Sequence, residues 1–317
     1  MTEVFTFGEA MIRLSVPAGE HLETAATFAV DVAGAEANVA VALARLGRRV
    51  EWWSRLPDDP LGRRVRDRLA AAGVDCAAVR LEGSGRVGTY FVELHPPPRA
   101  TLVVYHREGS PASRMSVAEF PWSRLEAARW LHVTGITPAL SPTCRELTKE
   151  VVERARAAGC TISFDVNHRA KLWSVDEAAP VLLELVRAAD LVLCTREDAA
   201  SLFGIVGRPE EVRDELARRS GGEAVVVTDG ERGAWWRRGA AAGKVEAVPV
   251  TVIDRLGAGD AFAAGVIDGM LDGDLEVGVR QGVVLGALAL TTRGDQVVVS
   301  RTELDALMAG RMRRVDR

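Results

Sequence analysis

The chain has 317 residues, 48% of them hydrophobic and 26% charged, with a formal net charge of −4. That length and balance allow a sizeable buried core and exclude a disordered chain, while the acidic sign and scattered arginines offer no basic stripe for nucleic acid. The opening MTEVFTFGEAMIRLSV lacks a basic stretch followed by an apolar one, and no later run reaches membrane-spanning length, so a cytoplasmic protein without a membrane partner is expected.

In chain order, VFTFG reads as a strand and AEANVAVALARLG as an apolar helix closed by Gly47, because glycine accepts the left-handed turn just past a helix end. VEWWS follows as a strand, then PLGRRVRDRLAAAG as a basic helix stopped by Gly73. After residue 128, RWLHVTG, CTISFDV, DLVLCT and EAVVVTDG read as strands, with helices near 141–158, 176–188 and 208–220 and a long helical tail from 258. Apolar runs of strand length alternating with helical segments predict βαβ units around a mostly parallel sheet.

Two regions break this rhythm. Residues 9–33 and 86–108 hold strand-like stretches without intervening helices, including VGTYFVEL and ATLVVYHRE around the turn HPPPR, which reads as a hairpin. Such strands fit a small second sheet projecting as a lid from a single α/β domain spanning 1–317. One face of it needs a cover, from a ligand, a partner subunit or both. Cys76, Cys144, Cys160 and Cys194 lie far apart with no CxxC spacing, and read as buried free thiols of a reducing compartment rather than zinc ligands.

The densest motif is DRLGAGDAFAAG at 254–265. A glycine-rich turn opening a helix presents free N–H groups and the positive end of the helix dipole, which suits an anion such as phosphate. Gly257, Ala258 and Gly259 would supply those donors, with Asp260 beside the anion; taken alone, Asp260 reads as a helix cap, and the surrounding motif is what reverses that reading. Gly265 and Gly269, four apart, read as close-packing positions. On the hairpin, Tyr105 and Arg107 share one strand face while His106 takes the other. Tyr90 on the paired strand joins them if the register allows. Arg169 follows the strand ISFDV at its carboxyl end, where open α/β sheets bind ligands.

DRLGAGDAFAAG resembles the C-terminal signature of the ribokinase-like sugar kinases, the family that includes the minor bacterial phosphofructokinase, and GAEANVAVALARLG resembles its N-terminal glycine and asparagine signature. Within the family, GEAMIRLS, VYHREGSP, VTGITPALS and FDVNHRAKLW are similar to the 2-keto-3-deoxygluconate kinases. The resemblance covers almost the whole chain and implies a ribokinase-like three-layer α/β sandwich with a β-sheet lid, using ATP and Mg2+.

It further implies Asp260 as the base that takes the proton of the attacking hydroxyl, with Gly257, Ala258 and Gly259 holding the developing charge. Tyr90, Tyr105, Arg107 and Arg169 would hold a sugar acid, the two arginines pointing to its carboxylate. Gly34 would approach it through backbone and Ile136 through apolar contact. Thr195 and Asp198 stand where the family has Asn-x-x-Glu, with Asp198 acting on magnesium through water. Thr228, Gly230 and Gly233 fall in a nucleotide-binding turn, although a plain β-turn explains them equally well, and 286–294 either line the adenine or form a core helix. Arg255 and Ala33 depart from the family pattern. His95, His132 and His168 read as structural.

The expected function is phosphorylation of 2-keto-3-deoxygluconate to 2-keto-3-deoxy-6-phosphogluconate. Alternatives are a fructokinase or related hexose or nucleoside kinase, and a silent sugar-acid sensor that kept the pocket. The expected partners are a sugar acid, ATP and a second copy of the chain engaged through the lid.

Overall fold

Val4–Phe7 (β1) is buried along its whole length, as a strand covered by helices on both faces must be. The chain then forms β2 (Met11–Ser15) and β3 (Ala29–Ala33) before α1 (Ala35–Arg45) leads to β4 (Val50–Trp53), parallel to β1. Next come β5 (Arg55–Pro57), α2 (Pro60–Ala71), β6 (Arg80–Glu82), β7 (Thr89–Glu93), β8 (Leu102–His106) and α3 (Trp122–Glu126). Strand and helix then alternate through β9 (Trp130–Thr134), α4 (Pro142–Ala157), β10 (Thr161–Asp165), α5 (Val175–Ala188) and β11 (Leu191–Thr195). The chain continues with α6 (Arg196–Phe203), α7 (Pro209–Arg219), β12 (Ala224–Thr228), β13 (Ala234–Arg238) and β14 (Ala241–Val245). It closes with α8 (Ala258–Leu271), α9 (Leu275–Leu290) and α10 (Arg301–Met308). This computed structural model describes residues 2–95 and 98–311, so Pro96 and Pro97 of the expected HPPPR turn lie outside the described residues.

The large sheet runs β14-β13-β12-β11-β10-β9-β1-β4, parallel from β12 to β4. The antiparallel pair β13 and β14 extends one edge. Alternate strand residues feed two cores, one with Trp52, Leu193 and Ile267, the other with Phe5, Phe164 and Leu182. This makes the three-layer α/β sandwich expected from the motifs. From β1 the chain moves first to β4 on one side and later to β9 on the other. Such a reversal opens a crevice outside the carboxyl ends of the strands.

The second sheet has the order β3-β2-β7-β8, and the expected hairpin pairs Tyr90 with Tyr105. Its four strands fall within the two segments that broke the helical rhythm. The expected long tail from 258 is instead three helices, the first ended by Gly273 at φ 90°. Gly265 meets Gly282 and Gly269 meets Gly278 so closely that an added Cβ would lie 2.4 and 2.3 Å from backbone, which makes them the packing positions anticipated. All four cysteines are buried and unpaired, and no helix among the described residues is long and apolar enough to cross a membrane.

Candidate active site

Gly257 caps α8 at φ 80°, and a Cβ there would lie 1.9 Å from the Asp295 carbonyl oxygen, so only glycine fits. Beyond it, the first-turn N–H groups of α8 have no intrahelical acceptor, and Gly259 faces open space. Asp260 lies inside the helix rather than at its cap, which removes the capping explanation of this residue. Asn38 of α1 donates from Nδ2 to Asp260 Oδ2 at 2.7 Å, and its own N–H donates to the Gly34 carbonyl at 2.7 Å. Gly34 is as constrained as Gly257, since a Cβ would stand 2.2 Å from the Glu9 carbonyl oxygen. Burial pushes the Asp260 carboxyl up to about 7, against the opposing pull of the Asn38 hydrogen bond and the Arg169 charge.

The carboxyl ends of β10, β11 and β12 present Asp165, Thr195 and Thr228, with Thr195 and Thr228 in direct register. Burial, reinforced by the charges of Asp260 and Asp198, pushes Asp165 up to about 8. Asp198, on the first turn of α6, is also raised by burial. The Thr195 hydroxyl caps that helix by accepting the Asp198 N–H at 2.9 Å. In the following turn Gly230 has φ 53° and Gly233 φ 96°. A Cβ on Gly233 would lie 2.1 Å from the Val245 carbonyl oxygen, so packing on β14 by itself explains that glycine. Arg255 is exposed.

Across the crevice, Tyr90 and Tyr105 stack with ring centroids 5.6 Å apart, and the Arg107 guanidinium lies 5.7 Å from the Tyr105 ring centre. The three share one face of the lid, as their spacing predicted. The Tyr90 hydroxyl donates to Asp295 Oδ1 at 2.8 Å, and the fully buried Arg13 bridges Asp295 and Asp254. Arg107 is already engaged, donating from Nε to Glu9 Oε2 at 2.7 Å. A neutral ligand would therefore not leave Arg107 stranded, and the expectation that two arginines both await a ligand carboxylate needs this correction.

Arg169 differs from Arg107. It is exposed, its charge acts on Asp165, Asp198 and Asp260, and among the described residues no side chain hydrogen-bonds its guanidinium. Lys171 adds a second cation, 5.6 Å from the Tyr105 ring centre. Ile136 sits partly buried in the loop after β9, its N–H donating to Thr134 Oγ1 at 3.1 Å.

Sequence reasoning met Asn38 only as the asparagine of its motif, without a role, and passed over Asp165, Lys171, Glu9 and the Arg13 bridge. Two of these carried a signal: Asp165 ends an apolar strand at the sheet's carboxyl edge, and Asn38 stands with Glu36 at the start of a largely apolar helix.

An anion on the free N–H groups of α8 would have Asp260 beside it and the lid's tyrosines across from it, the layout of an enzyme that transfers a phosphoryl group to a small alcohol. The pfkB family carbohydrate kinase model matches residues 1–302, and the chain belongs to that family of phosphotransferases. It is 38% identical over 316 residues to a 2-dehydro-3-deoxygalactonokinase of Haloferax volcanii, covering 99% of each chain. With a 2-dehydro-3-deoxygluconokinase of Bacillus subtilis it shares 36% identity over 297 residues, 92% of this chain and 91% of the relative. The crystal structure of the 2-dehydro-3-deoxygluconokinase of Thermotoga maritima superposes with a TM-score of 0.90 at 31% identity, over 98% of this chain and 100% of that one.

Proposed function

We propose that the protein phosphorylates a 2-keto-3-deoxy sugar acid of the gluconate or galactonate type at its terminal hydroxyl, using MgATP. The observation that carries this reading is the shared electrostatic field of Asp260 and Arg169. A base poised near neutrality and a guanidinium lacking a protein partner among the described residues act on the same space. Asp260 accepts the hydroxyl proton as that oxygen bonds to the γ-phosphorus and ADP leaves. N–H groups of Gly257, Ala258 and Gly259 stabilise the transferring group, Arg169 holds the acid's carboxylate, and Tyr90 and Tyr105 cover the sugar chain. Gly34 and Ile136 line its floor, with Arg107 held in place by Glu9. Thr195, Thr228, Gly230 and Gly233 line the nucleotide side.

Asp165 and Asp198 fit a magnesium ion: both are oxygen donors, and burial raises Asp165 with the charges of Asp260 and Asp198 adding to it, a concentration of negative charge that a cation would relieve. Magnesium keeps several waters, so two carboxylates can hold it without a closed protein cage. When bound, magnesium would offset phosphate charge. Arg169→Ala is expected to raise KM for the acid about 100-fold, the ~3 kcal/mol of a charged pair, with KM for ATP little changed. Steady-state kinetics varying each substrate in turn checks this. Equal losses for both substrates would reject the assignment of Arg169.

We also propose a homo-oligomer formed through the lid. Val30, Leu14, Phe91 and Val104 make one cross-strand row on the face opposite the tyrosines, and Val30 and Val104 are 39% and 37% exposed. Exposed apolar rows of this kind favour association. Val104→Glu is expected to shift sedimentation toward the monomer, whereas an unchanged sedimentation profile would place the interface elsewhere.

A further inference from the structure

At the end of β7, away from the tyrosine face, Glu93 Oε1 lies 2.8 Å from His21 Nδ1 and 2.5 Å from His95 Nε2. The three ligand atoms lie within 4.8 Å of one another. His21 belongs to the long connection between β2 and β3, and Glu93 and His95 to the start of the β7–β8 connection, so the cluster joins two separate segments of the lid. The Leu22 N–H donates to Glu93 Oε2 at 2.8 Å, fixing the carboxylate through the oxygen that the imidazoles do not use. Two of the chain's five histidines meet here, with the side chains of His95 and Glu93 only 8% and 9% exposed.

We propose that His21, Glu93 and His95 form a binding site for a zinc-class divalent ion, distinct from the magnesium used with ATP. Two imidazoles and one carboxylate suit zinc, nickel or cobalt, whereas magnesium and calcium prefer all-oxygen sets. Tetrahedral ligands about 2 Å from an ion stand about 3.3 Å apart, so Glu93 Oε1 would move back from the two imidazole nitrogens by about 0.5 to 0.8 Å, within reach of side-chain adjustment. Water fills the fourth position, on the side where His21 is 45% exposed. The hydrogen bond from Leu22 plays the orienting part that outer partners play around metal ligands. Arg99, exposed and 3.0 Å from His21 Nε2, swings away on binding because the metallated ring carries a proton there. The ion ties the 16–28 connection to the hairpin and stiffens the lid at a point remote from Asp260.

The test is titration of tag-free, metal-stripped protein with Zn2+ in a competing chelator, together with the absorption spectrum of the Co2+ form. One equivalent should bind, Co2+ should give a tetrahedral-type spectrum, and Zn2+ should raise Tm. His21→Ala, on an exposed loop, and Glu93→Gln should each weaken binding at least 10-fold, while His106→Ala should not. Absence of stoichiometric binding by the wild type, or an affinity unchanged in the His21→Ala protein, would overturn the proposal. Kinase activity of the metal-stripped protein with MgATP is read separately, so either result leaves the proposed reaction to its own test.

Discussion

Asp260→Asn is expected to lower kcat about 10²–10⁴-fold, the usual span for loss of a general base, while making the protein more stable. The asparagine keeps the size of the side chain and an acceptor for the Asn38 amide, so the lost function is proton uptake. Wild-type kcat/KM should fall with unit slope below a pH of about 7, where burial places the Asp260 carboxyl, and the variant should lose that limb. Stability moves the other way. A carboxyl at 3.8 when unfolded and about 7 when folded holds its proton more tightly in the folded state, so ionising it opposes folding increasingly from pH 4 to about 7. The Tm gain of the variant should therefore be small at pH 4 and larger at pH 8. A variant that is less active and also less stable at pH 8 would assign Asp260 a structural role.

Arg13→Met is expected to destabilise the protein by about 3–5 kcal/mol, the range found when a buried ion pair loses one partner. Arg13 has no exposure, and its guanidinium serves both Asp254 and Asp295. Burial alone would ease its proton off, but the two carboxylates more than reverse this and its ionisation lies above the ordinary arginine range. Removing it strands two carboxylates beside the helix start they support, since Asp254 accepts from the Leu256 and Gly294 N–H groups and the Asp295 carbonyl packs on Gly257. A fall in Tm of about 5–10 °C is expected for a domain of this size, and Asp254→Asn combined with Asp295→Asn should recover much of it. Thermal unfolding at pH 7 decides, and a change under 1 °C would mean that the bridge adds nothing.

That bridge also marks where the sequence stops being informative. Arg13 occupies one position of the strand MIRLS and reads there as an ordinary polar residue, because its carboxylates lie 241 and 282 positions away. Glu9 and Arg107, 98 apart, escaped notice for the same reason. Local periodicity and punctuation were legible. β1 and β9–β12 are apolar runs covered on both faces, and Gly47 and Gly73 adopt the left-handed turns expected of them, at φ 88° and 97°. Helix α6 was missed because its start, TRED, was read for its oxygens alone, and only the structure shows Thr195 capping it. The motif at 254–265 pointed to Asp260, but the reason for its raised carboxyl, burial beside Asn38, is a tertiary fact.

The most direct measurement is ADP release by the purified protein with MgATP against 2-keto-3-deoxygluconate, 2-keto-3-deoxygalactonate, gluconate, fructose and ribose. Turnover confined to one or both keto-deoxy acids is the expected result. Preference for fructose or ribose, or no turnover with either acid, would contradict a sugar-acid kinase.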